Sequence, residues 1–391
     1  MGTGKITEKR TEEQRRAEAL ALLKHILDIP SVNGKDREQE TAVYLAEYLK
    51  RKGMETRVQL IDEHHGNVIG VLKGKTEETI LFNGHLDTVP YGDINEWNTN
   101  PAVCTEQDGR LYARGASDMK SGLAVMAFVL GELAESGCVP RKTIVFAGTC
   151  DEERGGLGAK EIIKEYPDLF PELLLIGEPT SCQAGVAQKG CIWLKLSVSS
   201  KTSHGAEPWQ GINALEQGFG LLADLREELK REEHPVLGHS TLQITMAEGG
   251  IAPNMTPDRA KFLADIRIVP PLNEKEVLNR LECLMQKRCE VYNGGLAFVP
   301  EITNYRMPVE TGPENQWLHR LKGFIGDDAG ETGINYFTDA SILLTAWPDS
   351  PALLFGPGEP QMCHKPNEYV EISKYLEAIR VMEKFCWYIA K

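Results

Sequence analysis

Residues 80–90 read Ile80-Leu81-Phe82-Asn83-Gly84-His85-Leu86-Asp87-Thr88-Val89-Pro90. The apolar opening has the composition of a buried strand, and it ends in a His and an Asp two residues apart. Buried strands do not finish on ionisable groups unless those groups have partners. At a strand end, a His-x-Asp pair points to a metal ligand and a neighbouring carboxylate that steers the site. Such a site needs further ligands, and they must come from other strand ends.

Four further segments place acidic or His residues just beyond expected strands or before a long helix. They are Arg114-Gly115-Ala116-Ser117-Asp118-Met119-Lys120, Asp151-Glu152-Glu153, Gly177-Glu178-Pro179-Thr180 and Met362-Cys363-His364. Strand-like runs at 56–61, 67–72, 79–83, 143–147 and 173–176 alternate with helical patterns at 17–27, 42–49, 119–135 and 159–166, which reads as an α/β layered domain. Ligand sites in open α/β sheets form outside the carboxyl ends of the strands. If these strands share one sheet, His85, Asp87, Asp118, Glu152, Glu153, Glu178 and His364 converge. Two imidazoles and several carboxylates suit zinc, with cobalt or manganese as tolerable substitutes. Four ionised carboxylates (Asp118, Glu152, Glu153, Glu178) in one cleft balance two divalent cations better than one. Taken singly, each motif has an ordinary reading: a Glu-Glu pair is usually solvated, and a lone His is usually structural. Their joint occurrence at successive strand ends is what weakens those readings.

The 391 residues exceed one ordinary core, so two domains are expected. A hydrophobic fraction of 41% with 26% charged residues is that of a soluble globular chain. The net charge of -14 argues against nucleic acid as a partner, because a phosphate backbone would be repelled. No segment approaches the roughly 20 apolar residues of a membrane span. The run Leu123–Ala134 is expected to be a buried helix. The polar Met1–Arg10 stretch lacks the apolar core of a signal peptide, and a cytoplasmic location is expected. The nine Cys are scattered with no Cys-x-x-Cys pair, which fits reduced thiols and metal binding by His and carboxylate.

Beyond residue 190 the pattern changes. Strands at 191–199, 241–246, 260–269 and 296–302 interleave with helices at 212–231 and 274–289 in the order β-α-β-β-α-β, the ferredoxin-like signature. The α/β pattern then resumes with a helix at 316–325, a strand at 352–355 and a helix at 372–389. The expected organisation is a discontinuous catalytic domain, residues 1–189 and 305–391, interrupted by a lid at 190–304.

These motifs resemble those of the di-zinc hydrolase family that contains acetylornithine deacetylase, succinyl-diaminopimelate desuccinylase, carboxypeptidase G and aminoacylase. The resemblance covers nearly the whole chain. It implies a zinc-exopeptidase-like catalytic domain, a mixed central sheet flanked by helices, with a ferredoxin-like lid used for dimerisation. His85 and Glu178 would bind one zinc, Glu153 and His364 the other, and Asp118 would bridge both, followed by a cis peptide bond. Asp87 would orient His85. Glu152 would be the general base that takes a proton from a metal-bridging water, so that hydroxide attacks an amide carbonyl. In the lid, His204 would stabilise the oxyanion, commonly across a dimer interface, and Asn254 matches a family Asn. Arg267 resembles a carboxylate clamp, which an Arg fork suits better than a Lys; the alternative for Arg267 is a strand-surface salt bridge. Phe337 stands where the family usually has Gly and Cys363 where it usually has Ala, which bears on pocket shape rather than on the ligands.

The expected activity is hydrolysis of an N-acyl amino acid, releasing a carboxylate and a free amine, by a homodimer with two zinc ions per chain. A dipeptidase, aminopeptidase or carboxypeptidase with the same metals is the alternative. A non-catalytic metal-binding paralogue is the remote third, since every ligand and the base are present.

Overall fold

The protein is described here from a computed structural model. It covers residues 10–327 and 329–391, so all but the last residue of the polar Met1–Arg10 stretch lies outside the described part. The chain forms two compact units. The first comprises the chain up to Val186 with Thr311–Glu331 and Ile342–Lys391, and the second comprises Ala187–Glu310 with Thr332–Ser341.

The first unit is built on a mixed sheet. Its strands are β1 (Glu55–Leu60), β2 (Gly66–Leu72), β3 (Thr79–His85), β4 (Thr143–Thr149), β5 (Pro171–Ile176) and β6 (Ala184–Gln188, of which Ala187 and Gln188 count with the second unit), joined by a late strand, Ala352–Leu354. The spatial order is β1-β2-β4-β3-β5, then Ala352–Leu354, then β6. The first two strands are antiparallel to their neighbours. By contrast β4, β3, β5 and Ala352–Leu354 run parallel. Parallel strands covered on both faces read as continuous apolar runs, and β3 is buried along its whole length.

Register decides what happens at the strand ends. His85 pairs with Thr149, Asn83 with Ile176 and Ile176 with Leu354. The three loops that follow β4, β5 and Ala352–Leu354 therefore leave the sheet along the same edge as His85. Those loops carry Glu152 and Glu153, Glu178, and His364.

The helix Lys120–Glu135 is buried without a break from Lys120 to Gly131. It packs on the sheet and against the helices Glu12–Leu27, Gln39–Lys52 and Ile372–Ala390. A helix apolar on all sides belongs in a core rather than at a surface. Among the described residues no helix is long and apolar enough to cross a membrane. The first turn of Lys120–Glu135 lies directly against the end of β5, where any side chain at Gly122 would collide with the Gly177 carbonyl. Gly84 likewise leaves room for the Met119 side chain, whose sulfur accepts the His85 backbone N–H at 3.3 Å. This close approach brings Asp118 to the sheet edge.

The second unit contains β7 (Gly190–Ser199), β8 (Thr241–Gly249), β9 (Arg259–Ile268) and β10 (Ala297–Arg306), with helices Ala214–Leu229 and Glu274–Val291. The sheet order is β8-β9-β7-β10, antiparallel throughout. Ile192, Leu194, Leu196 and Val198 alternate onto the covered face and pack with Leu221, Leu222 and Leu225 of the first helix. Trp193, Met246 and Val299 are exposed. Residues 332–341, which the sequence reading placed with 305–391, pack with this second unit. Lys189 N–H donates to Ile334 O at 3.1 Å, and the Thr338 hydroxyl bonds Gln188 Oε1 at 2.6 Å. A ten-residue excursion of this kind has no periodic signature to betray it.

Substituting Gly122→Ala is expected to destabilise the first unit by at least about 1–3 kcal/mol, because helix and strand backbones must separate to admit a methyl group. Urea denaturation measures it; an unchanged midpoint would show that the close approach is not a constraint.

Candidate metal centre

Two groups of side chains gather at the sheet edge, and they share one residue. His85, Asp118 and Glu178 form the first, and Asp118, Glu153 and His364 form the second. His85 Nε2 lies 3.1 Å from Asp118 Oδ1 and 3.9 Å from Glu178 Oε1. His364 Nε2 lies 3.3 Å from Asp118 Oδ2 and 3.1 Å from Glu153 Oε2. Asp118 thus turns one oxygen to each imidazole. The first group is buried throughout, whereas the His364 side chain is 55% exposed. The Asp118–Met119 peptide is cis.

The electrostatics show what the cluster asks for. Burial disfavours the His85 cation, yet the hydrogen bond to Asp118 and the nearby Glu178, Glu152 and Asp87 charges raise its pKa well above the ordinary value. His364, bonded to Asp118 and Glu153, is pushed up to about 10. Burial raises the Asp118 carboxyl, but hydrogen bonds from both imidazoles outweigh it and lower its pKa. Burial and the Asp118 charge raise that of Glu153. The surrounding carboxylates therefore favour positive charge at both imidazole Nε2 positions.

A divalent metal is an alternative to those two protons, and the residues present fit one at each position. The donors are nitrogen and oxygen with no thiolate, a set suited to zinc, cobalt or manganese. Glu153 Oε1 is buried and makes no hydrogen bond among the described residues, so an acceptor of the second group is left over for a cation.

The geometry revises the role read for Asp87. The Nδ1 of His85 lies 2.9 Å from the backbone carbonyl of Asp87, and its distance to the Asp87 carboxylate is 3.7 Å. An N–H there bonds the carbonyl, which leaves Nε2 to face Asp118. The carboxylate is instead used on the backbone of the next loop: Oδ1 accepts from Glu152 N–H at 3.1 Å and Oδ2 from Glu153 N–H at 3.0 Å. Glu152 itself is buried, belongs to neither group, and is near enough to influence His85.

Residues that stand in or beside the motifs without a role of their own hold this arrangement. Glu368, fully buried, accepts from the backbone N–H groups of Gly115, Ser117 and Asp118 and from Arg114 at 2.8 Å. Arg114 also bonds Lys365 O and Pro90 O and lies over the Trp97 ring. One buried ion pair thus fastens the loops bearing Asp118 and His364 to the loop after β3. Lys120 Nζ, equally buried, donates to Ile26 O and Ile29 O. Burial pushes its pKa down to about 7. The available signal was an Arg and a Lys flanking Asp118 in a segment otherwise fit for burial.

In the second unit, the backbone of Gly205, beside His204, donates to Asn254 O at 2.8 Å, and His204 pairs with Met255 in an isolated bridge. His204 is exposed. Its Nδ1 accepts from Ala206 N–H at 3.1 Å, which leaves the hydrogen of a neutral ring on Nε2. Arg267 makes the strand salt bridge. Its Nε and Nη2 grip Asp265 at 2.7 and 3.0 Å, and its guanidinium lies 5.6 Å from the Phe337 ring centre.

A sequence profile of peptidase family M20/M25/M40 matches residues 81–388. The chain belongs to this family. Acetylornithine deacetylase of Shigella sonnei is 30% identical over 361 residues, 88% of this chain and 90% of the relative. Among solved structures, aminopeptidase PepT of Bacillus cereus aligns at a TM-score of 0.76 and 18% identity, covering 96% of this chain and 99% of that one. An M20 family metallo-carboxypeptidase of Sulfolobus solfataricus aligns at 0.72 and 19%, covering 94% and 98%. These two likenesses establish the fold. As a member of the M20 family with this side-chain cluster, the chain is a metal-dependent hydrolase acting on amide or peptide bonds.

Exchanging Glu368→Gln is expected to cost about 3–5 kcal/mol, because it leaves the Arg114 charge buried and unpaired. Calorimetry with metal titration checks this. Wild-type stability and metal uptake would rule out the proposed fastening.

Proposed function

We propose that this M20-family chain removes the N-acyl group from an amino acid, in the manner of a deacetylase or desuccinylase, using two zinc ions. The observation that carries this reading is the sharing of Asp118 between two His–carboxylate groups while Glu152 stands beside them in neither. The relative of acetylornithine deacetylase type, matched along most of both chains, favours an N-acyl amino acid over a peptide. His85 and Glu178 would hold one metal, Glu153 and His364 the other, and Asp118 both, with cobalt or manganese as possible substitutes.

When bound, metal supplies Lewis acidity that polarises a carbonyl and acidifies water. The protein's own groups do the rest. Glu152 takes the proton of the attacking water and returns it to the departing amine, work that contributes about 10²–10⁴-fold. Glu152 is buried, and its backbone N–H is held by Asp87. Asp87 also holds His85 in the tautomer that directs Nε2 at the site, through its carbonyl.

In the second unit His204 is the proposed oxyanion donor through Nε2–H, supplied from a partner copy in a homodimer, with Asn254 beside it. Arg267 is the proposed carboxylate contact. Because Asp265 occupies its Nε–Nη2 edge, the Nη1 side is the one available to substrate. The proposed setting is the cytoplasm.

A panel of N-acetyl and N-succinyl amino acids set against dipeptides, with zinc and with cobalt, tests the assignment. Hydrolysis of dipeptides alone would overturn it in favour of a peptidase. Glu152→Ala is expected to keep about two metals per chain while lowering kcat by about 10²–10⁴-fold. Metal analysis paired with steady-state kinetics reads both, and undiminished kcat would remove Glu152 from the mechanism. Chelation is expected to abolish turnover and added zinc to restore it; activity that survives complete metal loss would contradict the proposal.

A further inference from the structure

Asn33 belongs to the loop after the first helix and is buried, 6% exposed. Its side-chain nitrogen donates to Asp87 Oδ2 at 2.7 Å and to Asp151 Oδ1 at 3.1 Å. Its carbonyl oxygen, also buried, makes no hydrogen bond among the described residues. All the hydrogen bonding of this side chain therefore goes to two carboxylates, and those two flank the turn that carries Glu152 and Glu153.

The two carboxylates do complementary jobs. Asp87 accepts the backbone N–H groups of Glu152 and Glu153. Asp151 opens the turn in the left-handed region, at φ 61°. Its other oxygen accepts Leu157 N–H at 3.2 Å, its carbonyl accepts Gly155 N–H at 3.1 Å, and its own N–H donates to Glu38 at 2.9 Å. Asn33 is in turn fixed to the strand end it serves. Its N–H donates to Thr88 O at 2.9 Å, and Thr88 N–H donates to Ser31 O at 2.9 Å.

The residue type matters here. Two neighbouring carboxylates repel unless something lies between them. An asparagine amide has two hydrogens and no charge, so it can donate to both carboxylates at once without adding charge. An aspartate in its place would add a third negative charge. A lysine would bring a cation beside a centre that needs its negative charge for metal.

We infer that Asn33 is a positioning residue: by tying Asp87 to Asp151 it sets where the Glu152–Glu153 turn, and so the Glu152 carboxylate, stands. The consequence for rate rests on the proposed role of Glu152 as base.

Asn33→Ala and Asn33→Ser in the zinc-loaded full chain test it, using the best substrate of the acyl-amino-acid and dipeptide panel. Misplacement of a reacting group by about 1 Å costs about 100-fold, so kcat should fall by that order in Asn33→Ala with metal content retained and KM little changed. Asn33→Ser, with one donor hydrogen, should fall between this and the wild type. Should the alanine variant not fold, the serine variant carries the test alone. Amide hydrogen exchange, which needs no substrate, should speed up in the segment spanning 151–157 and not in Thr79–His85. Wild-type kcat in the folded variants, a change confined to KM, or faster exchange spread evenly over the first unit would overturn the inference. An inactive Glu152→Ala enzyme beside fully active Asn33 variants would overturn this inference alone; an active Glu152→Ala enzyme would overturn the base assignment, and the exchange pattern would then decide the positioning.

Discussion

One carboxylate shared by two imidazoles is the constraint on which the first unit depends. Asp118 offers Oδ1 to His85 and Oδ2 to His364, and it can do so only where the sheet edge, the start of the helix Lys120–Glu135 and the loop before Glu368 meet. The helix reaches that point because Gly122 lets its backbone lie against Gly177. The loop is held because Glu368 draws four donors onto one buried carboxylate. Each is a close-packing or desolvated electrostatic solution, in which small displacements are costly.

The same region concentrates negative charge that a folded protein would ordinarily avoid. Asp87, Asp118, Glu152 and Glu178 are all buried. Two backbone N–H groups and the Asn33 amide satisfy Asp87, and positive charge at the imidazoles satisfies Asp118. Such a cluster raises the affinity of the site for cations at the expense of the protein's own stability, as expected where function rather than packing sets the residue types.

Much of this was legible in the chain. Continuous apolar runs announced buried strands of an α/β layered domain, and ionisable residues at their ends announced a site, because a strand cannot bury such groups without purpose. The β-α-β-β-α-β order within residues 190–304 was readable from alternating periodicities. The short strands Thr105–Gln107, Arg110–Tyr112 and Tyr369–Glu371 were not, since three residues carry no period. Glu368 and Asn33 were also opaque as structural members. A glutamate near the chain end and an asparagine in a loop before Gly34 look like surface residues, and each gains its role from partners that are remote in sequence. The family resemblance implies that Asp87 orients His85; its carbonyl does so, whereas its carboxylate bonds Asn33, Glu152 and Glu153, 54, 65 and 66 residues away.

By itself the sequence determined the kinds of donor, their order and their attachment to strand ends, because these follow from local composition and from the chemistry of each side chain. Tertiary structure alone decided the pairings: which oxygen of Asp118 faces which imidazole, that Arg267 closes on Asp265, and that 332–341 joins the second unit. The reason is physical. Register, close approach and burial arise between segments far apart in the chain, and hydrogen bonds of 3 Å are set by that packing rather than by neighbours in sequence.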